Sequence, residues 1–249
     1  MKIGFGIVLL LLVGGVLLIY GSPTHNTENN QTEIAVDSVI ESMETRTVVD
    51  DGSYIAMPDD SSVFWSGKKP LLDGYINTGS MEVTSGSIEV NEGVVTGELV
   101  IDMDTMSVTD TPSKPGKEDV LEGHLKGEGW FNVAEYPEAK FVITEAVPQA
   151  ENETSFLYDV KGELTMKGET HELTFPAIIY TDLGDGRTYA SADLEFDRTK
   201  WGITAGSGSF FDNLADNVVD DMVALSFKLV EEEVTSRFEY FFDNLADNL

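Results

Sequence analysis

The sequence predicts an all-β protein, an antiparallel barrel of about eight strands with a short helical insertion, preceded by a transmembrane helix. Three observations predict it. Between residues 50 and 230 apolar and polar residues alternate with period two, turn residues interrupt that alternation at short intervals, and residues 3–20 (IGFGIVLLLLVGGVLLIY) carry no charge.

The apolar run comes first in the chain. As a helix it would span about 27 Å, close to the thickness of a hydrocarbon core. A signal-peptidase site wants small residues one and three places before the cut. The first alanine is Ala35, and a cut after Gly21 or Ser22 would bring Ile19 or Tyr20 into the site. Residues 1–21 therefore read as an uncleaved anchor rather than a removed signal. With Lys2 held inside, the remainder lies outside, so the chain is expected to be membrane-anchored and extracytoplasmic, periplasmic or at the cell surface. Residues 22–49 lack aromatics, are rich in Asn, Thr, Ser and Glu, and carry the sequon Asn30-Gln31-Thr32; they read as a flexible stalk.

The strands follow, from residue 50 to residue 230. Val63 and Trp65 share a face opposite Phe64 and Ser66, and Leu99, Ile101 and Met103 oppose Glu98, Val100 and Asp102. The same alternation places Phe156, Tyr158 and Val160 together, then Leu164 with Met166, Leu173 with Phe175, Leu194 with Phe196, and Val223, Leu225, Phe227 and Leu229. Asn91-Glu92-Gly93 and the Asp182-to-Gly186 stretch fall between such runs, as hairpin connections should, and a second sequon, Asn152-Glu153-Thr154, is expected in a loop. No long amphipathic helix separates consecutive strands, so the pairing is antiparallel. The exception follows the turn-rich TDTPSKPGK, where residues 118–125 suit a short helix. Strands of this kind close as a sandwich or as a barrel; closure is preferred because it removes exposed edges. A barrel of about eight strands either fills itself with side chains or holds one ligand, and the alternation fits both.

Composition narrows the function classes. Forty-five acidic against fifteen basic residues give a formal charge of −30 over 249 residues, which repels nucleic acid and reads as a strongly hydrated surface. No cysteine is present, which removes disulfides and thiolate chemistry. His25, His124 and His171 are scattered without metal-ligand spacing, no serine has glycines two places before and after it, and GSGS at residues 206–209 lacks the Lys-Ser/Thr ending of a phosphate loop. Neither an enzyme nor a metal or cofactor is expected.

Six blocks resemble the YceI-like family in their order along the chain. They are GSYIAMPDDSSVFWSGKK (residues 52–69), GYINTGSMEVTSGSIEV (74–90), IDMDTMSVTD (101–110), HLKGEGWFNVAEYPEAKF (124–141), VKGELTMKGETHELTFP (160–176) and LEFDRTKWGI (194–203). The fourth, with its His-Leu, aromatic pair and Tyr-Pro, is the most distinctive. Two positions depart from the family pattern: Asp60 stands where a His usually precedes the first-hairpin Ser, and Trp130 stands where the aromatic pair usually opens with Phe. The resemblance implies a lipocalin-like barrel with an apolar tunnel for a polyisoprenoid or similar long-chain amphiphile.

On that expectation the ligand contacts are Val63, Trp65, Leu99, Ile101, Met103, Trp130, Phe131, Phe141, Met166, Phe175, Phe196 and Trp201. Flat or flexible side chains of this kind suit a featureless apolar chain. Arg198 and Lys200 are the head-group candidates, with Lys68 and Lys69 a second basic spot. The partner is an isoprenoid lipid, with a quinone-like ligand left open; the competing class is a filled barrel displayed on its stalk for partner binding or envelope stress.

The octapeptide FFDNLADN occurs twice, at residues 210–217 and 241–248. Around the second copy Phe238, Phe241, Phe242, Leu245 and Leu249 have the spacing of one helical stripe, so residues 231–249 are expected to form an amphipathic helical tail. Ser209, three residues before Asp212, gives the first copy a capping-box-like start. A tail copy competing for the first copy's groove would lid the barrel or swap between chains as a homodimer.

Overall fold

The computed structural model describes residues 11–13, 16–18, 45–149 and 156–234. Its strands are β1 (Leu11–Val13), β2 (Val16–Leu18), β3 (Arg46–Thr47), β4 (Gly52–Ala56), β5 (Ser62–Lys68), β6 (Ile76–Asn91) and β7 (Val94–Asp110), followed by helix α1 (Glu118–Lys126). Strands β8 (Glu138–Pro148), β9 (Leu157–Met166), β10 (Glu169–Asp182), β11 (Thr188–Asp197) and β12 (Met222–Glu233) complete the described strands.

Every pairing is antiparallel, as the absence of crossover helices requires, and β11 bonds to β12 to close the ring. Eight positions make up the barrel, because β4 and β5 share one. Strand β4 pairs with β6 at Gly52↔Val90 and with β12 at Ala56↔Glu231, while β5 pairs with the same neighbours at Val63↔Met81 and Val63↔Phe227. Pro58 cannot donate to a ladder, and a 3-10 turn over Pro58–Asp60 interrupts the strand there. The Ser61 hydroxyl bridges the gap, donating to the Met57 carbonyl (2.8 Å) and accepting from the Val230 amide (3.1 Å).

Tight hairpins fix the registers. Glu92-Gly93 (φ 52° and 77°) and Lys167-Gly168 (φ 51° and 81°) each put two consecutive residues at positive φ, the geometry whose twist matches that of the strands they join. Burial follows the alternation: Val63 is 2% exposed and its neighbour Phe64 51%. The interior is one continuous cluster drawn from β4 through β12, and Leu125 of α1 packs onto it.

The apolar N-terminal run differs from the expected helix. Its described residues form two short strands, Leu11↔Leu18 to Val13↔Val16. No helix among the described residues is long and apolar enough to cross a membrane.

At the other end β12 continues to Glu233, beyond the expected limit at Val230, and Arg46–Thr47 of the expected stalk pairs with β10. Residues 22–44 of the expected stalk, both sequons and the tail copy of FFDNLADN lie outside the described residues. The first copy has no capped helix: Ser209 Oγ donates to Asp221 Oδ2 (2.7 Å), and only Ala215–Asn217 coils, as a 3-10 turn. Phe210 and Phe211 are 57% and 50% exposed, so they occupy no groove for the tail copy to contest.

Candidate binding cavity

A cavity of about 580 Å³ lies at the end of the barrel roofed by α1, within the ~300–1,000 Å³ usual for small-molecule sites. Its wall is apolar. Met81 of β6, Ile101, Met103 and Met106 of β7, Ala139 of β8, Leu164 and Met166 of β9, Phe196 of β11, and Val223 and Leu225 of β12 face it, with Trp65 of β5 alongside. Val120, Leu121, His124 and Leu125 of α1 form the roof together with Trp130 and Phe131. The Phe131 amide donates to the Leu125 carbonyl (3.0 Å), which ties the aromatic pair back to the helix.

Two features shape the wall. Four methionines, unbranched and polarizable, leave space that can be re-formed around an irregular guest. Trp65 lies across from Gly79 in the β5–β6 register, where an added Cβ would sit 2.5 Å from the indole ring, so the bare glycine admits it. The buried Trp65 indole N–H has no hydrogen-bond partner among the described residues.

The cavity does not run the length of the barrel. Beneath its lining residues the interior closes on an aromatic cluster, with Phe141–Phe175 centroids at 5.6 Å in a tilted pair and Phe175–Phe227 at 5.9 Å edge to face. Gly162 makes room for it, since a Cβ there would lie 2.5 Å from Phe141 Cζ. Below the cluster, Val160, Ala177, Ile179 and Leu229 fill the interior down to Tyr54 and Glu231 at the far end. Glu231 is 3% exposed with Oε2 unpartnered among the described residues, and burial pushes its carboxyl up to about 7. Burial together with the Glu233 and Asp50 carboxylates pushes the Tyr54 phenol up to about 12.

The rim is cationic. Lys68, Lys69, Lys114, Lys117 and Arg198 border the cavity, against one carboxylate, Asp220. Lys68 pairs with Asp220 at 3.4 Å, and Lys69 donates to Asn217 Oδ1 (3.3 Å) and lies over the Tyr75 ring. Lys114 and Lys117 are exposed and have no ion-pair partner among the described residues.

Arg198 is 1% exposed and its donors are engaged. Nε donates to the Asp220 carbonyl (2.9 Å), Nη1 to that of Ile203 (2.6 Å) and Nη2 to that of Val219 (3.3 Å), with Asp221 at 3.6 Å and the Trp130 ring across its face. Burial pulls its pKa down, opposed by the Asp221 carboxylate. On Asp221 burial acts upward, but the Ser207 and Ser209 hydroxyls and Arg198 outweigh it and hold the carboxyl below its usual range. Arg198 thus braces the loops that build the rim.

Of the ligand contacts expected from sequence, Trp65, Ile101, Met103, Trp130, Phe131, Met166 and Phe196 come together on the cavity surface. Val63, Leu99, Phe141 and Phe175 are buried but do not face it, and Lys200 is exposed away from it. Trp201 is fully buried behind the wall, its indole N–H donating to the Leu164 carbonyl (3.0 Å) between the rings of Phe196 and His171. Asp60 pairs with Arg187 at 3.0 Å and does not line the cavity. Sequence reasoning missed Met81, Met106 and the pair Lys114 and Lys117. Among the described residues no three His, Asp or Glu side chains converge as a metal ion would need.

Comparison with known proteins fits this architecture. Residues 54–230 match the YceI-like domain. The UPF0312 protein plu2095 of Photorhabdus laumondii is 38% identical over 65 residues, which span 26% of this chain and 29% of that relative. BcnA of Burkholderia cenocepacia shares the fold at 20% identity, over 70% of this chain and 98% of its own, with a TM-score of 0.53. So does a polyisoprenoid binding domain from Saccharophagus degradans implicated in plant cell wall breakdown, at 22% identity, 72% and 98% coverage and a TM-score of 0.54.

Proposed function

The chain belongs to the YceI-like family, and from that premise we propose that it binds a long-chain isoprenoid-type lipid, apolar end inward, in the cavity beneath α1. The observation that carries the reading is a sizeable apolar void where the same alternation could have supplied a filled core. The polyisoprenoid-binding domain of the same fold suggests the ligand class. An isoprenoid offers little but transfer out of water, about 0.8 kcal/mol per buried CH₂, and an apolar wall is all this requires. The protein acts as a carrier or reservoir, tethered outside the membrane by the uncharged residues 3–20.

The competing reading, a filled barrel displayed for protein partners, draws on the aromatic cluster that closes the far half. Native mass spectrometry and organic extraction of the purified chain separate the two. Stoichiometric lipid is expected, and a lipid-free protein that also refuses added prenyl alcohol overturns the carrier reading. Cell fractionation of the full chain and of a chain lacking residues 1–21 tests the tether: only the full chain is expected in the membrane fraction.

A further inference from the structure

We propose that the end of the barrel roofed by α1 docks on the surface of a neutral, phosphatidylcholine-type bilayer, with the segments around the cavity mouth dipping into the interface. It rests on the carrier reading above for the choice of partner, because a lipid entering this mouth comes out of a bilayer. Among the described residues nine large apolar side chains are exposed, and six of them, Leu71, Ile76, Val120, Phe210, Phe211 and Met222, stand at this end. Leu71 lies in the 69–75 turn, Val120 on α1, and Phe210 and Phe211 in the connection between β11 and β12. Ile76 and Met222 are the first residues of β6 and β12, which start from those connections. The hairpin turns described at the far end, residues 92–93 and 183–187, expose only Leu183. The remaining two, Phe64 and Ile178, stand singly on the outer wall.

The segments that carry these side chains adjoin. The Asp220 amide donates to the Lys68 carbonyl (2.9 Å) and Lys69 Nζ to Asn217 Oδ1 (3.3 Å), which ties the 69–75 turn to the connection before β12. Tyr75, Val120 and Asn217 border the same cavity, so the exposed side chains surround its mouth. They sit on separate turns around an opening rather than on one continuous face. A fluid interface closes over separate apolar side chains, whereas a protein partner needs a continuous complementary surface. Charge selects the kind of bilayer. Lys68, Lys114 and Lys117 are exposed at the mouth, but the same segments expose Asp73, Asp119, Asp212 and Asp216, and the whole chain carries −30. That balance offers no attraction to anionic lipid, so the apolar side chains supply the binding and a zwitterionic surface is the match.

The chain has no cysteine, so single-cysteine variants of the full-length protein carry one reporter each. Leu71→Cys, Phe211→Cys and, as the far-end control, Leu183→Cys are labelled with an environment-sensitive fluorophore and mixed with phosphatidylcholine vesicles whose acyl chains are brominated. Labels at positions 71 and 211 are expected to shift to the blue and be quenched, and the label at position 183 to be unaffected. Mixing in phosphatidylglycerol should weaken the quenching at low salt, and salt near 1 M, where the screening length is about 3 Å, should restore it. With the label at position 71, F210S/F211S should raise the lipid needed for half-quenching by about tenfold, whereas F64S/I178S, the same kind of loss on the outer wall, should leave it unchanged. Unquenched labels at positions 71 and 211, equal quenching at position 183, or equal effects of the two double variants overturn the docking face. Stronger quenching with phosphatidylglycerol overturns the neutral-bilayer assignment. Lipid bound stoichiometrically by a protein whose mouth labels stay unquenched overturns docking alone. Quenching at the mouth of a protein that yields no lipid and takes up no prenyl alcohol supports the docking face and overturns the carrier reading.

Discussion

The two ends of the barrel are made from the same strands with the same alternation, yet one is hollow and the other solid. Toward α1 the inward positions carry Met81, Met103, Met106 and Met166, with Ala139 as the smallest. Toward the far end they carry Phe141, Phe175 and Phe227, then Tyr158, Tyr54 and Glu231. Strand number sets the diameter of the ring, but it is the volume of each inward side chain that decides whether the interior closes. Charge divides along the same line: the hollow end opens among lysines, while the solid end hides a carboxyl group.

Truncating the aromatic cluster attacks that division most directly. Phe175→Ala is expected to cost about 3–5 kcal/mol, as for other buried Phe truncations, and to extend the void toward the base. Urea unfolding measures the first effect, and the length of the prenyl alcohol that binds best measures the second. If the preferred length does not increase, the cluster is not what limits the cavity.

The solid end has its own signature in pH. The unfolded chain releases the Glu231 proton near 4.5 and the folded chain near 7, so folding retains a proton in that window and stability falls as pH rises through it. Glu231→Gln should remove this slope and stabilise the protein above pH 7 by up to about 3 kcal/mol, read from denaturant midpoints at pH 5 and pH 8. A wild-type midpoint with the same pH dependence as the variant's would refute it.

Substitutions at the hollow end should be milder. Met103→Ala is expected to cost about 2 kcal/mol, the low end for its type, because the side chain already borders a void. Ala139→Phe should change stability by roughly 1 kcal/mol or less while abolishing prenyl alcohol binding, since the added ring enters existing space. A large destabilisation by Ala139→Phe would mean that the hollow end is packed after all.

The alternation made much of the fold legible, and its failures have physical causes. The alternation puts Val63 and Phe64 on opposite faces, and the structure separates them sharply. Met103 and Met106 both face the cavity although three residues apart, because the strand slips phase between them: Thr105 Oγ1 accepts from the Glu82 amide (2.9 Å) where β6 and β7 shift register. No period-two reading finds Met106. Lys114 and Lys117 sit in a turn-rich stretch without periodicity, and only folding brings them to the border of the same cavity as Lys68 and Lys69. Arg198 was legible as a cation, but not that three carbonyls from two loops would claim its donors. In the N-terminal run, absence of charge reads as helix, whereas its described residues pair as two short strands.

The seam between β12 and the broken strand β4/β5 has a consequence for how the molecule comes into being. Val230 meets Ser61 across 169 residues of chain, so the ring cannot shut until almost all of the described polypeptide has been synthesised. Contacts of such long sequence separation slow folding. A ribosome delivering this chain presents β4 and β5 without one of their two neighbours for most of translation, an open sheet edge prone to pairing with strangers. The last of the described strands to emerge is the one that makes the nascent protein safe.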